Sequence, residues 1–170
     1  HIWTTEALSG LVSVTLSVIV SHEGVHSGMS GGAIPSSFRI QRMLLDRVEN
    51  SKTGEVLIPE MHVQISEKIK REAVALGEIL GDELWTSLPV VETLEAQSKE
   101  SSEMLLDINW RPALSIIGAD GIPPVQTAGN VLRTNTDLKL SFRIPPGVKA
   151  DEVQEILKQV LEENPPYGAE

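Results

Sequence analysis

The sequence contains no cysteine. No disulfide framework and no thiolate chemistry can be built from it, and the redox compartment is left open, with the cytoplasm favoured. No apolar run is long enough to span a bilayer. The apolar-rich segment 11–20 is interrupted by Ser13, Thr15 and Ser17, and no basic stretch precedes it, which argues against a signal peptide. Cations are scarce: 14 Lys and Arg stand against 24 Asp and Glu, for a net charge of −10. That balance argues against nucleic acid as a partner, because phosphate binding needs clustered Lys and Arg. No membrane partner is expected either. The chain opens on His1 rather than Met, so a segment processed or cut from something longer is expected.

What is present is enough for one domain. The chain has 170 residues, 41% of them hydrophobic and 22% charged. That length and balance suit a globular fold with its own core. In "LVSVTLSVIV" (11–20), Val12, Val14, Leu16, Val18 and Val20 share one face and Ser13, Thr15 and Ser17 the other, which predicts a half-buried strand. Gly24, Gly28, Gly31 and Gly32 mark 24–32 as a loop. Pro35, Ser36 and Ser37 open a helix carrying Phe38, Ile40, Met43, Leu44 and Val48. "ENSKTG" turns the chain into a short strand, "EVLIP".

A second helix is predicted over 65–80, with Ile65, Ile69, Ala73, Leu76 and Leu80 on one side and Gly81 as its stop. Residues 82–108 read as partly helical and broken at Pro89. Strands follow at 113–118 and 138–144, separated by the Gly/Pro loop 119–130. The last helix has the clearest stripe: Val153, Ile156, Leu157, Val160 and Leu161, with Asp151 and Glu152 in the dipole-favoured first turn. The order of elements gives an α+β class: a ferredoxin-like antiparallel sheet with two main helices on one face and an additional helical insertion. The whole of 1–170 reads as one domain, with a core over about 11–57 and 112–165 and an insertion over about 58–111.

"HEGVH" at 22–26 matches the H-E-x-x-H pattern of zinc proteases. That pattern chelates only on a helix, where i and i+4 share a face. Here a strand runs into it, Gly24 lies within it, and "SGMSGG" follows. His22 and Glu23 therefore read as solvated residues at a strand end. A third ligand would have to be His1 or His62, the only other histidines. His26 stands in a glycine-rich loop able to wrap closely around something; its plain reading is an incidental loop histidine.

"GVHSGMSGGAIP" resembles the D-L-H-S-G-x-x-G-G-x-x-x-x-P stretch of the M20 family of zinc metallopeptidases, in its dipeptidase and carnosinase-like members. "TGEVLIPE", "WRPALSIIGADG", "TAGNVL", "LKLSFRIPPGVKADEV" and "NPPYGA" fit further family segments in the same order, over about Gly10 to Tyr167. Any one of these is weak; six in order are specific. In that family the region is an inserted lid, or dimerisation, domain. The resemblance implies that the catalytic domain, with its H-x-D motif and two zinc ions, lies outside this chain, which has no H-x-D and no metal site of its own. Glu162 and Glu163, which could be mistaken for the family's catalytic Glu pair, end an amphipathic helix.

The resemblance implies roles for three residues. His26 matches the catalytic histidine that reaches the partner subunit's active site and stabilises the oxyanion there, as an imidazole N–H can where water is excluded. Arg143 matches the arginine that binds the free carboxylate of a dipeptide or peptide substrate; guanidinium is the natural fork for that group. Asn130 matches a Thr or Asn that hydrogen-bonds the same substrate end. Their plain readings are a loop histidine, an exposed strand arginine and a turn asparagine. Arg133 stands where the family has Pro, which bears on the conformation of the Asn130 loop, and Lys149-Ala150 replaces a helix-starting Thr-Pro.

The leading expectation is thus a homodimerising lid of a dinuclear-zinc dipeptidase or carboxypeptidase, inactive alone, with the first strand suited to continuing a sheet across the dimer. A non-catalytic ferredoxin-like interaction module and a self-contained H-E-x-x-H protease are the alternatives.

Overall fold

Valine and leucine at every second position, with serine and threonine between, make β1 (Gly10–Ile19) a strand with one wet face. In the computed structural model, which describes residues 9–170, it is followed by β2 (Val25–His26), α1 (Ser27–Ser30), α2 (Ser37–Leu45), α3 (Glu67–Leu80), α4 (Glu83–Thr86), α5 (Ser101–Trp110), β3 (Ala113–Asp120), β4 (Val131–Leu132), β5 (Asn135–Ile144) and α6 (Ala150–Glu162). The main sheet has three strands in the order β1-β5-β3, all antiparallel. A second sheet pairs β2 with β4. The class is α+β, with two main helices on one face of an antiparallel sheet and further helices between α2 and β3.

β5 is central because its sequence buries best. Leu138, Leu140, Phe142 and Ile144 are each 4% exposed or less, and all face α2 and α6. Val12, Leu16 and Val18 of β1 join them, with Ile40 and Leu44 from α2 and Val153, Leu157 and Leu161 from α6. Fully burying one such side chain stabilises the fold by about 1.5–3 kcal/mol.

α2 is fastened to the sheet by polar contacts as well. Gln41, fully buried, donates from Nε2 to the carbonyls of Leu16 (2.7 Å) and Thr136 (2.6 Å), while its Oε1 has no partner among the described residues. The Ser37 and Thr136 hydroxyls meet at 2.7 Å. α6 is tied to the end of α2 by Arg47, which donates to the carbonyls of Val160 (3.0 Å), Glu163 (2.6 Å) and Asn164 (2.8 Å). A cation there satisfies orphan carbonyls and suits the negative end of the helix dipole.

α3 starts at Ser66, whose hydroxyl accepts from the Ile69 N–H (3.3 Å), and stops at Gly81 with φ 52°. It crosses α5 at Gly77, where a Cβ would sit 2.8 Å from the backbone nitrogen of Ser102, so only glycine allows that approach.

Besides β5, which begins at Asn135, three residues before the expected start, three segments differ from the sequence reading. "EVLIP" makes a single bridge, Glu49 to Val56, and no strand. His62 holds it locally, with Nε2 2.7 Å from the Val56 carbonyl. The glycine-rich 24–32 loop contains β2 and the single turn α1. β3 runs two residues further, to Asp120, past a bulge at Ile117.

Candidate functional site

His26 sits where β2 meets α1. Its Nδ1 accepts the Gly28 N–H at 3.1 Å, which caps α1 and leaves the proton of the neutral ring on Nε2. The ring itself is exposed. A Cβ at Gly28 would lie 3.1 Å from His26 Nδ1 and crowd the ring. Gly31 is needed, since a Cβ would come to 2.6 Å from the Ser27 carbonyl. Ser30, buried, donates from Oγ to the His26 carbonyl (3.2 Å) and holds the turn from below. These contacts orient the imidazole with an Nε2–H donor facing outwards.

Asn130 is drawn to the same place. β2 and β4 pair as Val25 with Leu132 and His26 with Val131, and the Ser27 N–H donates to the Asn130 carbonyl (3.0 Å). Two segments about a hundred residues apart in sequence thereby present His26 and Asn130 side by side, both exposed. Arg133, standing in place of the family proline, does not prevent the pairing.

Arg143 is elsewhere. It lies near the end of β5, opposite Leu11 and Ala113, with its Nη1 3.4 Å from Ser9 Oγ. The β2/β4 pair adjoins the other end of β5, where the Val20 and Ser21 N–H groups donate to the Thr134 carbonyl (2.8 and 3.3 Å). From Asn135 to Arg143 is eight residues of extended chain, roughly 26 Å. The fold brings two of the three candidates together and holds the third at the far end of the sheet.

His22 and Glu23 lie in an exposed bend and not on a helix, with Ser21 Oγ donating to the Glu23 carbonyl (2.7 Å). The i and i+4 geometry for a chelate is absent. His62 is committed to the Val56 carbonyl, and His1 lies outside the described residues. Among the described residues no group of three His, Cys, Asp or Glu could hold a metal ion, so the residues present do not fit a zinc site. Glu162 and Glu163 are exposed at the end of α6, and the Glu163 carbonyl accepts from Arg47. Among the described residues no helix is long and apolar enough to cross a membrane.

Residues 7–169 match the peptidase dimerisation domain, M20_dimer. The chain belongs to this M20 dimerisation domain family. Solved structures share its fold. Human carnosine dipeptidase 1 superposes with a TM-score of 0.71 at 21% identity, covering 91% of this chain and 32% of that one. The di-peptidase Dug1p from Saccharomyces cerevisiae gives 0.68 at 20%, covering 91% and 32%. The M20 family metallo-carboxypeptidase Sso-CP2 from Sulfolobus solfataricus gives 0.74 at 20%, covering 91% and 40%. At these identities the likeness is one of fold. This M20 dimerisation domain spans 32–40% of those chains. No curated protein matches it in sequence.

Sequence reasoning missed the parts that hold the site together. β2 and β4 are two residues each, too short to show any period, and Ser27 and Ser30 look like loop filler. The available signal was the run of glycines, of which Gly31 stands where a Cβ would collide with the Ser27 carbonyl and Gly32 has a φ of 84°.

Proposed function

We propose that this chain is the lid and dimerisation domain of a dinuclear-zinc M20 dipeptidase or carboxypeptidase. It forms a homodimer. His26 and Asn130 of one lid serve the active site of the partner subunit, and Arg143 clamps the substrate carboxylate in the site of its own subunit. The zinc ions, which supply the activated water, are held by residues outside this chain.

The separation of Arg143 from the His26–Asn130 pair carries this reading. A dipeptide spans roughly 7 Å, against roughly 26 Å between the two ends of β5. One lid cannot place all three side chains on one small substrate, but two lids related by a two-fold axis can. The Nδ1 contact with the Gly28 N–H supports the role of the imidazole: it leaves Nε2–H as a fixed, outward donor for a developing oxyanion. Oxyanion donors are worth about 10²–10³ in kcat.

In the assembled enzyme, His26→Ala is expected to lower kcat by about that factor while the protein remains dimeric in sedimentation. Normal turnover by the variant would remove the role of His26. A monomeric wild-type enzyme would remove the two-subunit site.

A further inference from the structure

We infer that β1 is not an edge strand in the full-length enzyme: the stretch that follows Glu170 runs back along its outer side as a fourth strand of the main sheet. This rests on the chain being one domain of a longer enzyme, and not on the roles of His26, Asn130 or Arg143.

Antiparallel pairing turns the main-chain groups of successive residues to opposite edges of a strand. Val20, just past β1, donates toward β5, to the Thr134 carbonyl. The even-numbered residues of β1 therefore serve β5, and Leu11, Ser13, Thr15, Ser17 and Ile19 turn outward. Of these five, only Ile19 has a main-chain partner outside the β1–β5 ladder among the described residues. That partner is Glu170. The Ile19 N–H donates to the Glu170 main-chain oxygen (2.6 Å), and the Glu170 N–H donates to the Ile19 carbonyl (3.1 Å). A reciprocal pair of this kind is the hydrogen-bonded rung of an antiparallel ladder.

The rung fixes the register of what comes next. Successive residues past Glu170 would pass Val18, Ser17 and Leu16 on the way to Gly10. Ala169 packs against the core and Glu170 is exposed. Alternation then turns the first, third and fifth residues past Glu170 to the core side. Val14, which the fifth would oppose, is only half-buried, whereas Val12, Leu16 and Val18 on the same side are buried.

The topology agrees. The main elements β1, α2, β3, β5 and α6 follow one another as β-α-β-β-α, and α6 packs on β1. A strand after α6 that is antiparallel to β1 is parallel to β5, and completes a split β-α-β unit. β1 also lacks what protects an edge. Lysine, proline, bulges and inward charges keep exposed strands from pairing. "GLVSVTLSVI" has no charged residue, no proline and an unbroken register over its 10 residues. β3, at the other edge, carries the bulge at Ile117. With its outer side filled, β1 cannot continue the sheet into a second subunit.

The test is hydrogen–deuterium exchange, read residue by residue, on the 170-residue chain and on the full-length enzyme. In the shorter chain the Leu11, Ser13, Thr15 and Ser17 amides should exchange roughly 100-fold faster than those of Val12, Val14, Leu16 and Val18. In the full-length enzyme both sets should be slow. A proline placed two residues past Glu170, opposite Ser17, removes a rung and should restore fast exchange at Ser17 and Thr15 while the β5-facing amides stay slow. Outward amides already slow in the shorter chain, or still fast in the full-length enzyme, would overturn the fourth strand. So would protection that survives the proline, which would mean that another segment or a second copy covers β1. None of these outcomes bears on His26, whose role is read from turnover.

Discussion

Mixed dimers provide the sharpest test of a site shared between subunits. Take two full-length variants of the enzyme, His26→Ala and Arg143→Ala, each almost inactive. In a hetero-dimer of the two, one catalytic site receives Arg143 from its own intact strand and His26 from the partner's intact loop. The other site lacks both. The expectation follows from the distances in the fold. Asn135 to Arg143 covers roughly 26 Å of β5, and His26 lies beyond the Asn135 end. A histidine and an arginine side chain reach roughly 6–7 Å each, and a dipeptide adds roughly 7 Å, for a total near 20 Å. One lid falls short, so complementary halves must come from different lids. Each mixed dimer has one competent site of two, so about one half of wild-type specific activity should return in the isolated hetero-dimer. The assay is peptide hydrolysis after co-expression of the two variants with different affinity tags and isolation of the doubly tagged dimer. Activity no greater than that of the two parents would place His26 and Arg143 in the same subunit's site and refute the reasoning.

Two stability predictions probe the scaffold that carries these residues. Gln41→Leu removes two hydrogen bonds to the Leu16 and Thr136 carbonyls and relieves one unpartnered Oε1; a net loss of about 1–3 kcal/mol is expected from the denaturant midpoint, and an unchanged midpoint would deny that Gln41 seats α2. Burial holds the Glu49 carboxyl above its ordinary 4.5. Its contribution is therefore most favourable below 4.5 and is lost as pH rises through the raised value, so Glu49→Gln should be more stable than wild type at pH 7 and should lose that advantage below about pH 4; a pH-independent difference would contradict the cause given.

How much of this was legible in the sequence differs between the scaffold and the site. β1 was readable because Val12, Leu16 and Val18 alternate with Ser13, Thr15 and Ser17, and the same holds for Leu138, Leu140 and Phe142 in β5. α6 was readable from Val153, Leu157 and Leu161 at helical spacing. A local period maps directly onto burial in such elements. "EVLIP" misled because an apolar run next to a turn resembles a strand, whereas Val56 and Ile58 are buried here without a ladder partner beyond one bridge. His26, Asn130 and Arg143 were found through family resemblance and not from period or spacing.

By itself the sequence determined the alternation and stripes that choose strand or helix, the glycines that permit the His26 turn, and the family membership those segments spell out. The tertiary structure alone decided which distant pieces meet. Pairing β2 with β4 joins His26 to Asn130 through hydrogen bonds between segments about a hundred residues apart, which no local pattern encodes. The length of β5 sets Arg143 apart from them, because an extended chain advances about 3.3 Å per residue and cannot fold back within a sheet. Register, too, was decided there: the bulge at Ile117 puts Gly118 opposite Lys139.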